Sequence, residues 1–404
     1  MSRIKLPSYA AARSRETHYL VGHRHVERVG RSQVCRRTAR GQLDVSAAVK
    51  AAKAWTPTRC DSVQLANTLG LFVYALALLA PVICWAQSTP LPSAREHLIL
   101  VIGAGGADEY VREFSQQGEA WQTLAEHQQW SLTVIDGNNQ DHATSRSQLQ
   151  VALSELANAD TAAIDKAELP SRLWIVLVGH GTAVGENAKF NLVGPDVSAK
   201  ELSAWLEPLS CPLVIVNASS ASAPFLPELS GPQRIVITAT RSASELNYSR
   251  FGKYLAQSLK DLSVDIDHDL EVSLLEAFLA AVVRTEQFYR DDARLTTEHA
   301  LLDDNGDRRG TSADFFRGLR PVKTAEEGEV VDGTSAARVI LYSSPEAPQL
   351  SPEQIRQRQH IEEQLDALRG QKPQLKEADY YQRLERLLLE LAAVYEAAEP
   401  STVP

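Results

Sequence analysis

His180 and Ser219 are the two residues whose surroundings best suit chemistry. His180 follows the apolar run Leu173-Trp174-Ile175-Val176-Leu177-Val178 and Gly179. Ser219 follows Leu213-Val214-Ile215-Val216, Asn217 and Ala218. Apolar runs of this length, closed by Gly and small polar residues, read as central strands of a parallel sheet. Ligands and reactions collect at the carboxyl ends of such strands. The two side chains are therefore expected close together at one sheet edge. A hydroxyl is much less acidic than a thiol, so catalysis by Ser219 would require a base in direct hydrogen-bond contact. Gly103-Ala104-Gly105-Gly106 is a weaker candidate, in which a glycine-rich turn between strand and helix suggests a nucleotide-binding module. The third glycine of that fingerprint would fall at Asp108, whose charge is wrong for pyrophosphate. A tight turn is the preferred reading there.

Two acidic loops form a third feature. Asp265, Asp267, Asp269, Ser273 and Glu276 stand at positions 1, 3, 5, 9 and 12 of a twelve-residue loop, and Glu271 at position 7 would offer its carbonyl. Asp303, Asn305, Asp307, Thr311 and Asp314 repeat the spacing. Both loops resemble EF-hand or dockerin-type calcium loops, and calcium is the cofactor this implies. Leu270 and Arg308 replace the glycine of position 6, where φ is positive. The competing reading is a pair of acidic turns with helix caps.

These residues need elements to hold them. Strands are expected at 97–102, 130–135, 173–178, 213–216 and 234–240, with helices near 107–128, 145–158, 199–209 and 251–262. Alternation of this kind gives an α/β fold, a doubly wound and mainly parallel sheet with helices on both faces. A helix over 273–290 follows. Residues 321–349, rich in Pro, Gly, Ser and Glu, read as a linker. Ser351-Pro352-Glu353 starts a helix, and 350–397 reads as a C-terminal helical hairpin broken at Gly370 and Pro373.

Charge is divided unevenly. Residues 1–86 carry 13 Lys/Arg against four acids, and the remainder carries 28 against 47. An acidic body repels nucleic acid and anionic membranes, which excludes both as partners of the folded part. Residues 1–64 read as a basic leader, disordered or preceding the true start. Residues 65–86 read as a signal peptide, because the apolar run 69–83 is short for a span and ends in Cys84-Trp85-Ala86. The chain is then exported, with a mature start near Gln87. The alternative is a membrane anchor retained at 69–85. Cys211 is the one cysteine of the body, so it forms neither an internal disulfide nor a zinc site.

Across roughly 97–262 the chain resembles the caspase and legumain-type cysteine peptidases. The resemblance rests on His180-Gly181, matching a His-Gly that closes one strand, and on Asn217-Ala218-Ser219, matching the residues around the nucleophile. Ser219 takes the cysteine's place. The resemblance implies a caspase-like domain over 95–320, with His180 and Ser219 as the degenerate catalytic pair and the Gly181 N–H available to an oxyanion. It implies a non-catalytic relative that binds protein or peptide. An active hydrolase using Ser219 and His180 stays open, as does the nucleotide module.

Overall fold

The computed structural model describes residues 96–137, 144–162, 170–185, 187–323 and 330–398. The basic leader 1–64, the segment 65–86 and the expected start near Gln87 lie outside the described residues.

Six strands build the central sheet: β1 (Glu96–Ile102), β2 (Ser131–Asp136), β3 (Arg172–Val178), β4 (Leu213–Asn217), β5 (Arg234–Thr238) and β6 (Leu301–Asp303). Their order is β2-β1-β3-β4-β5-β6. The first five are mutually parallel, and β6 runs antiparallel along β5. This is a mixed α/β fold with a mainly parallel sheet, as the alternating pattern requires. The three-residue strand β6 was not expected, since so short an apolar run carries no period of its own.

Helices cover both faces because strand side chains alternate. Leu98, Leu100, Trp174, Val176, Val178, Val214 and Val216 face one way. They pack on α1 (Asp108–His127), α5 (Phe251–Ser258) and α6 (Leu274–Asp291) through Phe114, Trp121, Phe251 and Phe278. Ile99, Val101, Leu173, Ile175, Leu177, Leu213 and Ile215 face the other way. They meet α2 (Ser145–Ala162), α3 (Ala199–Leu206) and α4 (Phe225–Leu229). Ser198 and Ser273 close capping boxes with Glu201 and Glu276, which fixes where α3 and α6 begin.

The segment 321–349 is more than a linker. Its part 330–349 holds a short helix, α7 (Thr334–Ala337), and the strand Ile340–Ser343, which pairs antiparallel with Glu271–Ser273. Ala336, Val339 and Leu341 are buried in the main core. Four apolar residues among Gly, Ser and Glu were too few to signal this, yet Val339 and Leu341 take core positions and Tyr342 packs against the core. The hairpin is formed by α8 (Pro352–Gln371) and α9 (Glu377–Glu396), with a hydrophobic cluster of its own. Among the described residues no helix is long and apolar enough to cross a membrane.

Candidate functional site

The strand order reverses between β1 and β3, so the carboxyl ends of these two strands open the crevice where doubly wound folds place ligands. His180 lies there, just past β3. It continues the alternation of Trp174, Val176 and Val178 toward the face covered by α1. Its imidazole sits among three aromatic rings, with centroids 4.7 Å from Tyr110, 5.0 Å from Phe114 and 5.9 Å from Tyr248. Partial burial lowers its pKa, against a hydrogen bond to the backbone of Gly105. The ring is therefore neutral near pH 7.

Ser219 continues a different alternation. Leu213, Ile215 and Asn217 of β4 point to the opposite face, and β3 and β4 run in register, with Leu177 beside Asn217. The segments past the two strands do meet through the Ser220 side chain: the Gly181 N–H donates to Ser220 Oγ at 3.2 Å, and Ser220 Oγ donates to the Gly181 carbonyl at 3.0 Å. Ser219 is fully buried, and its hydroxyl donates to Asn217 Oδ1 at 2.6 Å. Asn217 Oδ1 also accepts the Ser219 N–H at 3.1 Å, closing an Asx turn. No hydrogen bond joins Ser219 to His180. The Gly181 N–H, expected to be available to an oxyanion, is held by Ser220.

Only glycine fits at 181. An added Cβ would lie 2.2 Å from the Ser220 carbonyl oxygen and 2.7 Å from Ser219 Oγ. Gly103 is also a packing position, because its Cβ would come within 2.5 Å of the Asn191 carbonyl oxygen and 3.0 Å of the Phe190 ring. The glycine turn of 103–106 thus leaves room for Phe190. Phe225 and Leu226, just beyond the turn at Ser219, are buried under the second face of the sheet.

Buried hydroxyls hold the rest of the edge. Ser222 Oγ lies 3.2 Å from Thr240 Oγ1, which accepts the Ala223 N–H, and Thr238 donates to the Thr240 carbonyl. Neither Ser220 nor Thr240 carries a pattern in the sequence that marks it. The run Asn-Ala-Ser-Ser-Ala-Ser did signal a polar turn, but its partners lie 18 and 39 residues away. Cys211 is half-buried near the amino end of β4, and burial pushes its thiol up.

The first acidic loop closes as a compact turn. Asp265 accepts the N–H groups of His268 and Leu270, Asp269 that of Glu271, and Glu276 those of Ile266 and Ser273. Leu270 adopts φ 69°, the left-handed conformation expected of position 6. One carboxylate oxygen each from Asp265, Asp267 and Asp269 lie within 4.8 Å of one another. These are hard oxygen donors of the kind calcium takes.

The second loop begins the same way. Asp303 accepts the N–H groups of Gly306 and Arg308, Asn305 that of Asp307, and Asp307 that of Arg309. Arg308 has φ 70°. The loop then diverges from the calcium pattern, since Thr311 donates to Asp332 and Asp314 pairs with Lys323 and Ser312. Asp332 replaces the expected convergence. It is 3% exposed and also accepts the N–H groups of Asp304 and Asn305.

Burial, reinforced by the charges of Asp304 and Asp303, pushes the Asp332 carboxyl up to about 7. In the unfolded chain it titrates near 4. Between these values the folded state keeps a proton that the unfolded state has lost. Stability therefore falls as pH rises from about 4 through about 7, and levels above. The urea midpoint of the protein is expected to drop between about pH 5 and about pH 8. Asp332→Asn is expected to flatten part of that slope. A midpoint that climbs over the same range would contradict the assignment.

No family model matches the chain, and no curated protein matches it. Solved structures similar to it include protein GSU0716 of Geobacter sulfurreducens, which is 12% identical. That match covers 47% of this chain and 89% of that one, with a TM-score of 0.32. Caspase-1 from Spodoptera frugiperda is 11% identical over 52% of this chain and 86% of that one, also with a TM-score of 0.32. Likenesses at this level say nothing of function.

Proposed function

We propose that this protein is an exported, caspase/legumain-like relative of the cysteine peptidases that no longer cleaves, and that it binds protein or peptide at the carboxyl edge of its sheet. The observation that carries this reading is the buried Ser219 hydroxyl, donated to Asn217 Oδ1 and not hydrogen-bonded to His180. A nucleophile needs both access and a base within hydrogen-bond reach. Ser219 has neither. The strand Gly181–Val184 and the loops beyond it present Val184, Val193 and Leu246 to solvent, apolar side chains suited to a peptide partner.

Selection of a displayed random-peptide library against the purified protein tests the binding half. Enriched peptides are expected to lose affinity on Leu246→Asp or Val184→Asp. Peptides indifferent to both changes, or no enrichment at all, would count against it.

A second reading is favoured by the convergence of Asp265, Asp267 and Asp269. We propose that the loop 265–276 holds calcium, with Glu276 closing the site and the Glu271 carbonyl beside it. The ion would neutralise crowded carboxylates and stabilise the turn leading into α6. Binding to the folded state alone raises stability by mass action, about 2.7 kcal/mol at a hundredfold excess over Kd. Melting is expected at a higher temperature in calcium than in chelator, with the rise abolished by Asp267→Asn. Equal melting in both would reduce these residues to caps and turns.

A further inference from the structure

The hairpin of α8 and α9 is joined to the α/β body in an unusual way. Its buried apolar residues, Ile361, Leu365, Leu368, Tyr380, Leu387 and Val394, form a cluster that shares no member with either core of the body. The ties between hairpin and body are instead charged. Arg358 of α8 is 7% exposed, and its Nη1 donates to Glu271 Oε2 at 2.7 Å. The Tyr395 hydroxyl of α9 lies 3.5 Å from the same nitrogen. Glu271 is pinned from its other side, where Oε1 accepts the Ser343 hydroxyl at 3.0 Å. A second clamp joins Arg338, just past α7, to Asp366 at 3.0 Å, with Glu363 at 3.8 Å.

Charges of this kind make a conditional joint. Apolar faces once buried stay together, since no single group controls them. A buried ion pair gains little over an apolar contact of the same shape, yet removing one partner strands the other and is costly. Arg358 is held without full satisfaction: its Nε is buried and unpartnered, 3.8 Å from the Glu362 carboxylate. The docked state therefore depends on one guanidinium reaching one carboxylate. Glu271 and Ser343 lie opposite each other in the ribbon that leads into α6, so the socket belongs to the body and the plug to the hairpin.

We propose that the C-terminal hairpin is a docking arm, which closes on the ribbon Glu271–Ser273/Ile340–Ser343 by inserting Arg358 against Glu271 and opens as a unit while the α/β body stays folded. The ribbon edge is its binding surface, and its occupant is this chain's own arginine-bearing helix. This inference does not rest on the peptide-binding reading; Glu271 is shared with the proposed calcium loop, so exchange is measured in chelator, where that loop holds no ion.

Hydrogen exchange of the full chain, followed by mass spectrometry, tests it. Arg358→Glu and Glu271→Arg are each expected to speed exchange in peptides covering 340–343 and 352–371 by roughly 100-fold, with β1, β3 and β4 unchanged. The double charge swap is expected to recover much of the protection. Arg358→Lys keeps the charge without the planar fork, and should give an intermediate rate. Arg338→Ala loosens the more exposed clamp and should give a smaller increase in the same peptides. Unchanged exchange in the single variants would overturn the proposal. So would an equal loss of protection in the central strands, because hairpin and body would then open as one, and so would a double swap no better than the singles.

Discussion

Purified protein is expected to release nothing from a mixed fluorogenic peptide library, and Ser219→Ala and His180→Ala are expected to leave that blank unchanged. The reason is geometric. Peptide cleavage would require the buried Ser219 hydroxyl to leave Asn217, gain access to substrate, and find a base with which it shares no hydrogen bond in the folded state. Restoring a thiol does not by itself restore access. Ser219→Cys is expected to react with a small alkylating reagent orders of magnitude more slowly than a free thiol, at a rate set by local opening of the loop. Denaturant should bring the rate to that of an ordinary cysteine. Cys211 is replaced by Ala in that experiment, so that the signal belongs to position 219. If wild type hydrolyses peptides and both alanine variants abolish the activity, this is a serine-type hydrolase and the proposed function fails.

Glu298→Ala is expected to cost about 3–5 kcal/mol of folding stability, among the largest single effects in the body. Its carboxylate is buried at the amino end of α5. It accepts the N–H groups of Arg250 and Phe251, the Ser249 hydroxyl at 2.6 Å and the Tyr289 hydroxyl at 2.9 Å. Removing it leaves four donors without that acceptor in a place water does not reach, and takes a negative charge from the positive end of a helix. Glu298→Gln keeps one acceptor oxygen and should cost less. Chemical denaturation of the two variants beside wild type measures both. A midpoint for Glu298→Ala within error of wild type would show that the helix start needs no such cap. The effect reaches the candidate site, since α5 begins beside the turn that carries Ala218: a Cβ at Gly252 would stand 2.6 Å from the Ala218 Cβ.

Much of this architecture was legible in the residues. The five parallel strands announce themselves as apolar runs, and capping boxes at Ser198, Ser273 and Ser351 fix helix starts from four residues each. The acidic loops were legible too. Their spacing also marks the turns, and Leu270 and Arg308, at the position where φ is positive, take the left-handed conformation despite the strain on a branched or long side chain. The Asx turn at Asn217 is also present in the sequence, as Asn two residues before Ser.

Other features had no local sign. The strand β6 is three residues long and exists because Leu301–Asp303 finds the free edge of β5. Glu298 caps a helix that begins 47 residues earlier. Asp314 was given the closing position of a calcium loop, but Asp332, 18 residues beyond it, took the central hydrogen bonds.

The sequence by itself determined the periods of alternation, the helix caps and the turns, because each depends on residues within a few positions of one another. It therefore determined that His180 and Ser219 would stand at one edge of one sheet. Tertiary structure decided which way they face. That depends on the register of β3 against β4, on Ser220 taking the Gly181 N–H, and on three aromatic rings from α1 and the segment before α5 gathering around the imidazole. Side chains alternate with period two, so a single position of register separates a catalytic pair from two residues on opposite faces.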